Sequence, residues 1–395
     1  MNTAEPASPP VPTQDGPFGI RFDFNDGARI SVPVGAAWQV RLSDIDTASV
    51  LIDSRNDGGF ITSDKHYFVR FRVEICKDGT AAPVLVHDYD ARGRNVLIHL
   101  PTTTLGDTIA WLPAVAAFQE RHGCRLTCAI AGRLIPLFRD AYPHIVFATP
   151  DAVQPERFYA TYKMMMFYGD EQHRWNPSEG RSIGLHQAAA ALLGMPVIGE
   201  PPRLALPSAA RPIAEPYVCI AAQATAQAKY WNHPHGWDHV VAFLQRAGYR
   251  VLCIDQKPLH GDGMVWNRMP DGAEDFTGDR PLIERAHFLH HADFFIGLSS
   301  GLSWLAWAAR CPIVLISGFT HPINEFATPY RVINYHTCNS CWNDIREPFD
   351  NQDFLWCPRH KGTPRQFECS RLITPEHVIR TIRQIPGFAA RHAAD

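Results

Sequence analysis

Residues 95–123 read NVLIHLPTTTLGDTIAWLPAVAAFQERHG, and this stretch decides the fold. It opens with a near-continuous apolar run, NVLIHL, which is typical of a buried parallel strand. The residues from Leu105 onward have helical spacing and end at Gly123, and glycine commonly follows the last residue of a helix. The pattern predicts a strand, a turn and a helix, with Asp107 in the first turn of that helix.

The alternation of strands and helices continues on both sides of a proline-rich stretch, residues 196–216. Before it, RLTCAIA, GRLIPLFRDAY and IVFAT predict a strand, a helix and a strand. After it, a second series runs from YVCIAAQA to PIVLIS. Such alternation indicates doubly wound sheets, so we predict an α/β fold of two Rossmann-like domains, the GT-B fold. The dinucleotide fingerprint G-x-G-x-x-G follows the first strand of neither half, which argues against a dehydrogenase.

The chain before residue 93 has a different pattern. Segments such as HYFVRFRVEI alternate apolar and polar residues, as half-buried strands do. FNDGARISV predicts a hairpin, because Asp26 and Gly27 suit a tight turn. We therefore divide the chain into a disordered proline-rich lead-in (1–17), a small β domain (18–92) and two Rossmann-like domains (93–210 and 211–395). Residues 154–170 break the rhythm of the first Rossmann-like domain and predict an inserted hairpin.

The composition excludes several classes of protein. The net charge is −3 and there is no long basic run, which argues against general nucleic-acid binding. A membrane span is not expected, because no window of 18 residues is continuously apolar. The N-terminal residues lack the positive and apolar regions of a signal peptide, so we expect a cytoplasmic protein with reduced thiols.

Three loops carry candidate binding or catalytic residues. Ligands of open α/β sheets bind beyond the carboxyl ends of the strands, and Asp107 follows such an end. Its carboxylate suits a general base, although a helix cap is the simpler role. Lys229 follows the first strand of the second half and could neutralise a phosphate, or could be an ordinary surface lysine. Ser299, Ser300 and Gly301 precede a helix, whose free N–H groups favour phosphate, although capping by Ser300 is the simpler alternative.

The ten cysteines include a cluster of four, Cys338, Cys341, Cys357 and Cys369. The spacing C-x2-C-x15-C-x11-C supplies four thiolates to one tetrahedral ion. In a cytosolic protein such a cluster favours a metal over disulfides. Because all four ligands come from the protein, we expect a closed structural site that takes no part in the chemistry. Zinc and iron both suit four thiolates.

The strand, the L-G-D turn and the helix opening toward L-P-A resemble the family-9 glycosyltransferases, the lipopolysaccharide heptosyltransferases. In that family the aspartate matching Asp107 is the candidate general base. The run from Thr225 through Lys229 to Trp231 matches a donor-binding loop. The family run Asp-Thr-Gly-Leu-Ser-His is here Ser-Ser-Gly-Leu-Ser-Trp, so the sugar-binding aspartate is replaced by Ser299 and the histidine by Trp304. The resemblance implies that the following residues contact the donor: Thr225, Lys229, Ser299, Ser300, Gly301, Leu302 and Ser303.

The N-terminal β domain, LPTTTLGDT, GLSSGLSWLAWA and the four cysteines together resemble the bacterial autotransporter heptosyltransferases. This resemblance implies ADP-heptose as donor, serine hydroxyls of autotransporter adhesins as acceptors, one iron ion per chain and a large homo-oligomeric ring such as a dodecamer. It also implies that the first Rossmann-like domain receives the acceptor and the second binds the nucleotide sugar. Two alternatives remain open: a lipopolysaccharide core heptosyltransferase with a lipid-sugar acceptor, and a non-catalytic binding or scaffold protein on the same fold.

Overall fold

The structure is a computed structural model and describes residues 10–391. Its N-terminal region is built from short strands: β1 (Gln14–Asp15), β2 (Arg21–Asn25), β3 (Arg29–Val32), β4 (Trp38–Asp44), β5 (Ser49–Asn56), β6 (Gly59–Thr62), β7 (Phe71–Lys77) and β8 (Leu85–Asp88). The predicted hairpin is β2–β3, which pair antiparallel. Asp26 and Gly27, in the connection between the two strands, have positive φ values of 58° and 93°, a region that glycine enters readily and aspartate more often than most residues.

The first Rossmann-like half comprises β9 (Asn95–His99), α1 (Leu105–His122), β10 (Arg125–Ala129), α2 (Ile135–Phe138), β11 (Ile145–Ala148), β12 (Ala160–Lys163) and α3 (Leu185–Leu193). The strand and helix predicted from residues 95–123 are β9 and α1, and α1 ends at Gly123 with a φ of 57°. Residues 194–216 then connect α3 to the second half without regular secondary structure.

The second half comprises β13 (Tyr217–Ile220), α4 (Gly236–Arg246), β14 (Arg250–Cys253), β15 (Leu259–Asp262), β16 (Val265–Arg268), β17 (Glu274–Asp275), α5 (Leu282–His291), β18 (Phe295–Leu298), α6 (Gly301–Ala308), β19 (Ile313–Ile316), β20 (Tyr330–Val332), α7 (Glu368–Arg371), α8 (Pro375–Ile382) and α9 (Pro386–Arg391). Its sheet is parallel, in the order β17-β14-β13-β18-β19-β20. The predicted second α/β series is confirmed.

The first sheet differs from the prediction in two ways. Its order is β11-β10-β9-β12-β2-β3-β6, with β1 added beside β2. The segment predicted to be an inserted hairpin instead supplies β12, which pairs in parallel with both β9 and β2. The N-terminal hairpin therefore extends the Rossmann-like sheet, and only β4, β5, β7 and β8 form a separate antiparallel sheet.

The prediction that residues 1–17 form a disordered lead-in is wrong in part. Residues 1–9 lie outside the described residues, but Gln14 and Asp15 form β1 against β2. The Thr13 backbone N–H donates to Asp23 at 2.9 Å, and the Thr13 hydroxyl donates to the Phe158 carbonyl at 2.7 Å. These hydrogen bonds hold the segment on the sheet. Among the described residues, no helix combines the length and apolar character needed to cross a bilayer.

Candidate active site and metal centre

A cleft of about 1550 Å³ lies between the two Rossmann-like halves. The turn before α1 lines it from the first half, and the loops after β13, β14 and β18 line it from the second. All of these segments follow the carboxyl ends of strands, where open α/β sheets bind their ligands. The geometry therefore brings together three loops that the sequence singled out separately.

The starts of α1 and α6 touch at the base of the cleft. A Cβ added to Gly301 would lie 2.9 Å from Cβ of Leu105, and one added to Gly106 would lie 2.8 Å from Cδ1 of Trp304. Real Cβ atoms do not approach so closely, so glycine at both positions lets the two helices meet. As a result, two helix N-termini face one cleft, and each favours negative charge nearby.

Asp107 lies in the first turn of α1 and lines the cleft. The hydroxyl of Thr104 donates to its Oδ2 at 2.5 Å, and that of Thr102 makes a longer contact of 3.5 Å with the same oxygen. Burial raises the pKa of Asp107, while the hydrogen bond from Thr104 and the charge of Lys229 act in the opposite direction. The Asp107 carboxylate is therefore more basic than that of a solvent-exposed aspartate, and this suits proton abstraction.

Lys229 belongs to the other half, yet its charge acts on Asp107. Its Nζ lies 3.4 Å from the hydroxyl of Thr225 and 5.4 Å from the ring centroid of Phe319. Burial lowers the pKa of Lys229, and the carboxylates of Asp107 and Glu325 oppose that shift. The cleft therefore places a carboxylate and a cation on opposing halves, within electrostatic reach of each other.

The predicted run from Ser299 to Ser303 divides into two groups. Ser299, Ser300, Gly301 and Leu302 line the cleft, whereas Ser303 does not. Ser303 is buried and its hydroxyl donates to the Leu298 carbonyl at 2.5 Å. The structure therefore corrects the predicted donor contact of Ser303 to a structural role at the end of β18.

The hydroxyl of Ser299 belongs to a buried hydrogen-bond network at the cleft wall. Its oxygen lies 3.0 Å from the Ser317 hydroxyl oxygen and 2.7 Å from that of Thr320, both within hydrogen-bond distance. Thr320 donates to Glu325 at 2.6 Å, and Glu325 is ion-paired with Arg331. Ser300, in contrast, makes no side-chain capping bond, so its hydroxyl remains available to a ligand.

Several cleft residues were missed by sequence reasoning. Asp255 is 1% exposed, accepts hydrogen bonds from the N–H groups of Ala222 and Gln223, and has its pKa raised by burial to about 6. Arg285 donates to the backbone carbonyls of Ile254 and Asp255. Asp255 lies two residues beyond β14, and that position at a strand's carboxyl end was the signal that could have found it.

Two residues of the cleft lining also carry buried polar atoms without a hydrogen-bond partner in the described part of the chain. Within residues 10–391, Gln223 Nε2 and Ser300 Oγ are buried without a hydrogen-bond partner. Both residues line the cleft. Buried polar atoms are normally hydrogen-bonded, so this arrangement is typical of a site completed by a polar ligand.

The four clustered cysteines lie within electrostatic range of one another beside the cleft, but among the described residues their four sulfurs do not form a group within 4.8 Å of one another. Cys341, Cys357 and Cys369 are buried and Cys338 is half-buried, and all are free thiols. Burial raises the pKa of Cys338 to about 12, and the neighbouring Cys341 and Cys357 add to the shift. The pKa of Cys369 is also raised, first by burial and then by the other three thiols. Four thiols in mutual electrostatic range are costly to bury as anions unless a cation binds them.

A second group of possible metal ligands shares one of these thiols. Ligand atoms of Cys338, His360 and Glu368 lie within 4.8 Å of one another. The carboxylate of Glu368 already accepts two hydrogen bonds from Arg365 and one from the Cys338 N–H, and its pKa is lowered to about 2. By geometry this group could hold a metal ion, whereas by chemistry the four thiols would suit a soft metal ion.

Arg181 connects the first half to residues 338–369, which contain the four clustered cysteines and which we call the cysteine-rich segment. Its guanidinium donates to four backbone carbonyls of that segment, those of Trp342 at 2.6 Å, Asp344 at 2.8 Å, Glu347 at 2.9 Å and Cys341 at 3.2 Å. Arg181 is only 6% exposed, and each of these charged hydrogen bonds contributes more than a neutral one. The segment is thereby held against both halves of the cleft.

Comparisons with known proteins agree with this geometry. A family model described as the N-terminal domain of glycosyltransferase TibC matches residues 16–79, and one described as glycosyltransferase family 9 (heptosyltransferase) matches residues 110–347. The chain is 51% identical to the autotransporter heptosyltransferase BAHTCr of Citrobacter rodentium, covering 96% of this chain and 92% of the relative. It is 50% identical to the autotransporter heptosyltransferase TibC of Escherichia coli, covering 97% and 94%.

Two further similarities bear on function. A crystal structure of TibC, described as a dodecameric iron-containing heptosyltransferase in complex with ADP-D-β-D-heptose, superposes with a TM-score of 0.92 and 50% identity, covering 96% of this chain and 98% of that chain. BimC of Burkholderia thailandensis, described as an inactive autotransporter heptosyltransferase, is 47% identical over 97% of this chain and 90% of the relative.

The two Rossmann-like halves with a cleft between them, together with these similarities, identify the protein as a glycosyltransferase. The chain belongs to glycosyltransferase family 9, and within that family to the autotransporter heptosyltransferases.

Proposed function

We propose that this protein transfers heptose from ADP-heptose to serine hydroxyls of an autotransporter adhesin. The observation that carries the proposal is the pairing of Asp107 with Lys229 across one cleft. Further support comes from the relatives, whose names describe autotransporter heptosyltransferases, and from TibC, which is described in complex with the ADP-sugar.

In the proposed reaction the acceptor serine Oγ attacks C1 of the heptose. Within residues 10–391, both side-chain hydrogen bonds to Asp107 use Oδ2, so Oδ1 is the oxygen that takes the serine proton. The bond between C1 and the phosphate oxygen breaks, and its electron pair leaves with ADP. Lys229 and the N-terminus of α6, at Ser300 and Gly301, stabilise the growing negative charge on the diphosphate.

The donor is proposed to bind on the second half. Thr225 and Lys229 contact the diphosphate, together with Ser300, Gly301 and the cleft-facing Leu302. Ser299 shapes this wall through its buried hydrogen-bond network.

The metal is proposed to be one iron ion per chain, held by Cys338, Cys341, Cys357 and Cys369, with zinc as the second choice. Four protein ligands close the coordination sphere, so the ion stabilises the cleft wall and sugar transfer is metal-independent. We further propose that the protein acts in the cytoplasm and assembles into a ring of twelve copies, since the TibC structure is described as dodecameric.

Heptose transfer is tested directly by incubating the protein with ADP-heptose and the passenger fragment of an autotransporter adhesin. We expect the fragment to gain whole heptose units on serine residues, detected by intact-mass and peptide mass spectrometry. A second candidate function, a non-catalytic scaffold, is favoured by the inactive relative BimC. Absence of transfer to the fragment, with ADP still bound, would support that candidate.

Replacing Lys229 by alanine is expected to weaken ADP binding and to slow transfer together, because one cation then no longer neutralises the diphosphate. We expect about a tenfold loss of ADP affinity, measured by calorimetry, which corresponds to about 1.4 kcal/mol. Lys257→Ala, in the loop after β14 and outside the cleft lining, is the matched control. An affinity equal to that of the control would make Lys229 an ordinary surface lysine.

A further inference from the structure

The mouth of the cleft carries three aromatic rings, Tyr168, Trp342 and Phe349, which we call the aromatic wall. All three line the cleft. Tyr168 lies 6.4 Å from each of the other two rings, and Trp342 and Phe349 lie 4.8 Å apart, measured between ring centroids. Tyr168 follows β12 in the first half, whereas the other two belong to the segment between Cys341 and Cys357. The wall is therefore built jointly by the acceptor half and the cysteine-rich segment.

Tyr168 is unusually open for a large aromatic side chain, with 58% of its surface exposed. Partial burial and then the charge of the Asp107 carboxylate raise the pKa of Tyr168, and both residues line the same cleft. Tyr168 therefore presents an exposed aromatic face in the cleft that holds the proposed base.

The other two rings of the wall, Trp342 and Phe349, are packed against neighbouring side chains. Phe349 packs against Trp356 at 5.1 Å, and Trp342 against Phe319 at 5.9 Å. Arg181 lies over the ring of Trp342 at 5.4 Å and also binds its carbonyl. A preorganised aromatic surface binds a partner without loss of its own side-chain freedom, which is a common property of hot spots at interfaces.

Phe319 links the wall to the proposed donor groups. The Lys229 ammonium lies 5.4 Å from the centroid of the Phe319 ring, and the rings of Trp342 and Phe349 lie 5.9 and 6.1 Å from it. The diphosphate is expected at Lys229 and the nucleoside near Asp255, so the wall adjoins the diphosphate end of the proposed donor site.

A polypeptide acceptor that presents a serine to Asp107 enters the cleft that this wall lines. Residues of an extended chain are about 3.3 Å apart, so the residues on either side of the serine also meet side chains of the cleft lining. The rim beyond the wall is polar, with Asp350, Asn351 and Asp353 lining the cleft. These groups suit the backbone N–H donors of an extended segment.

We infer that the aromatic wall binds the acceptor polypeptide at the residues flanking the modified serine, so that Tyr168, Trp342 and Phe349 determine acceptor selection. This inference rests on the proposed function. It also gives the cysteine-rich segment a direct part in recognition, because that segment supplies two of the three rings.

The test uses the full-length protein, ADP-heptose and a purified autotransporter passenger fragment. Tyr168→Ala and Phe349→Ala are each expected to raise the KM for the fragment about tenfold. The KM for ADP-heptose, the ADP affinity and the metal content should stay unchanged. Tyr168→Phe should keep the KM of the unaltered protein, because it retains the ring. Tyr335→Ala removes a ring that is 65% exposed and outside the cleft lining, and it is the matched control.

Three results would overturn the inference. An unchanged KM for the fragment in both alanine variants would show that the wall does not bind the acceptor. A raised KM for ADP-heptose alone would assign the wall to the sugar. A smaller oligomer on size-exclusion chromatography with an unchanged acceptor KM would make the wall a contact between copies of the chain. If the unaltered protein transferred no heptose, the proposed function itself would fail, and this inference with it.

Discussion

Asp107→Asn is expected to lower the rate of heptose transfer by roughly 10² to 10⁴-fold, the usual contribution of a positioned general base. The amide keeps the size of the carboxylate, and it still accepts the hydrogen bond that Thr104 donates. It cannot take a proton from serine at neutral pH. ADP affinity should be largely retained, because the proposed diphosphate contacts lie on the other half. Single-turnover kinetics and calorimetry with ADP measure the two quantities separately.

The dependence of rate on pH provides the control for this assignment. The base works only when ionised, and burial raises the pKa of Asp107 above that of an ordinary aspartate. Transfer should therefore be fastest above this raised pKa and fall as the pH drops through it. The residual rate of Asp107→Asn should lack this acidic decline. Asp64→Asn, at a carboxylate with 85% side-chain exposure, should behave like the unaltered protein. A near-normal rate in Asp107→Asn would leave Asp107 as a helix-dipole residue.

Cys369→Ser is expected to yield protein that lacks its metal and unfolds at a temperature lower by roughly 10 °C. A lost ligand removes several kcal/mol of metal binding, and each kcal/mol shifts the midpoint of a domain this size by about 2–4 °C. Cys369 is also packed tightly, since a Cβ on Gly318 would lie 3.0 Å from its backbone and Cβ. Elemental analysis of untagged protein and thermal unfolding measure the two effects. Serine at Cys338, Cys341 or Cys357 should act in the same way.

Two comparisons make the metal experiment decisive. Cys76→Ser changes a free thiol on β7, outside the cluster, and should keep one metal ion per chain. Loss of metal in His360→Ala, but not in Cys357→Ser, would assign the ion to the group of Cys338, His360 and Glu368 instead. Stoichiometric zinc in protein produced with ample iron would keep the site and overturn the choice of iron.

The contacts of the cysteine-rich segment show how the proposed structural ion would affect activity without taking part in the reaction. The Ser340 N–H donates to the Gly318 carbonyl at 2.8 Å, and the Gln227 N–H donates to the Phe354 carbonyl at 2.9 Å. The segment therefore supports both the end of β19 and the loop that carries Lys229. Loss of the ion is expected to disturb donor binding through these contacts.

Local sequence determined those features that depend on a few neighbouring residues. The strand and helix at 95–123 follow from their own apolar patterns, and they place Asp107 at the carboxyl edge of a sheet wherever that sheet forms. The turn between β2 and β3 follows from Asp26 and Gly27, because few residues accept positive φ at both positions. The cysteine spacing likewise indicates a shared site before any fold is known.

Only the tertiary structure decided which strands pair and which side chains meet. Alternation shows that a strand has a buried face but not which strand lies beside it, so the insertion of β12 between β9 and β2 was not predictable from its four residues. The sequence predicts that Ser303 contacts the donor, yet its hydroxyl donates to the Leu298 carbonyl at the end of β18. Arg181 donates to backbone carbonyls of residues that lie more than 150 positions away in the sequence. Such contacts arise from packing across the whole chain, and a local pattern contains no information about them.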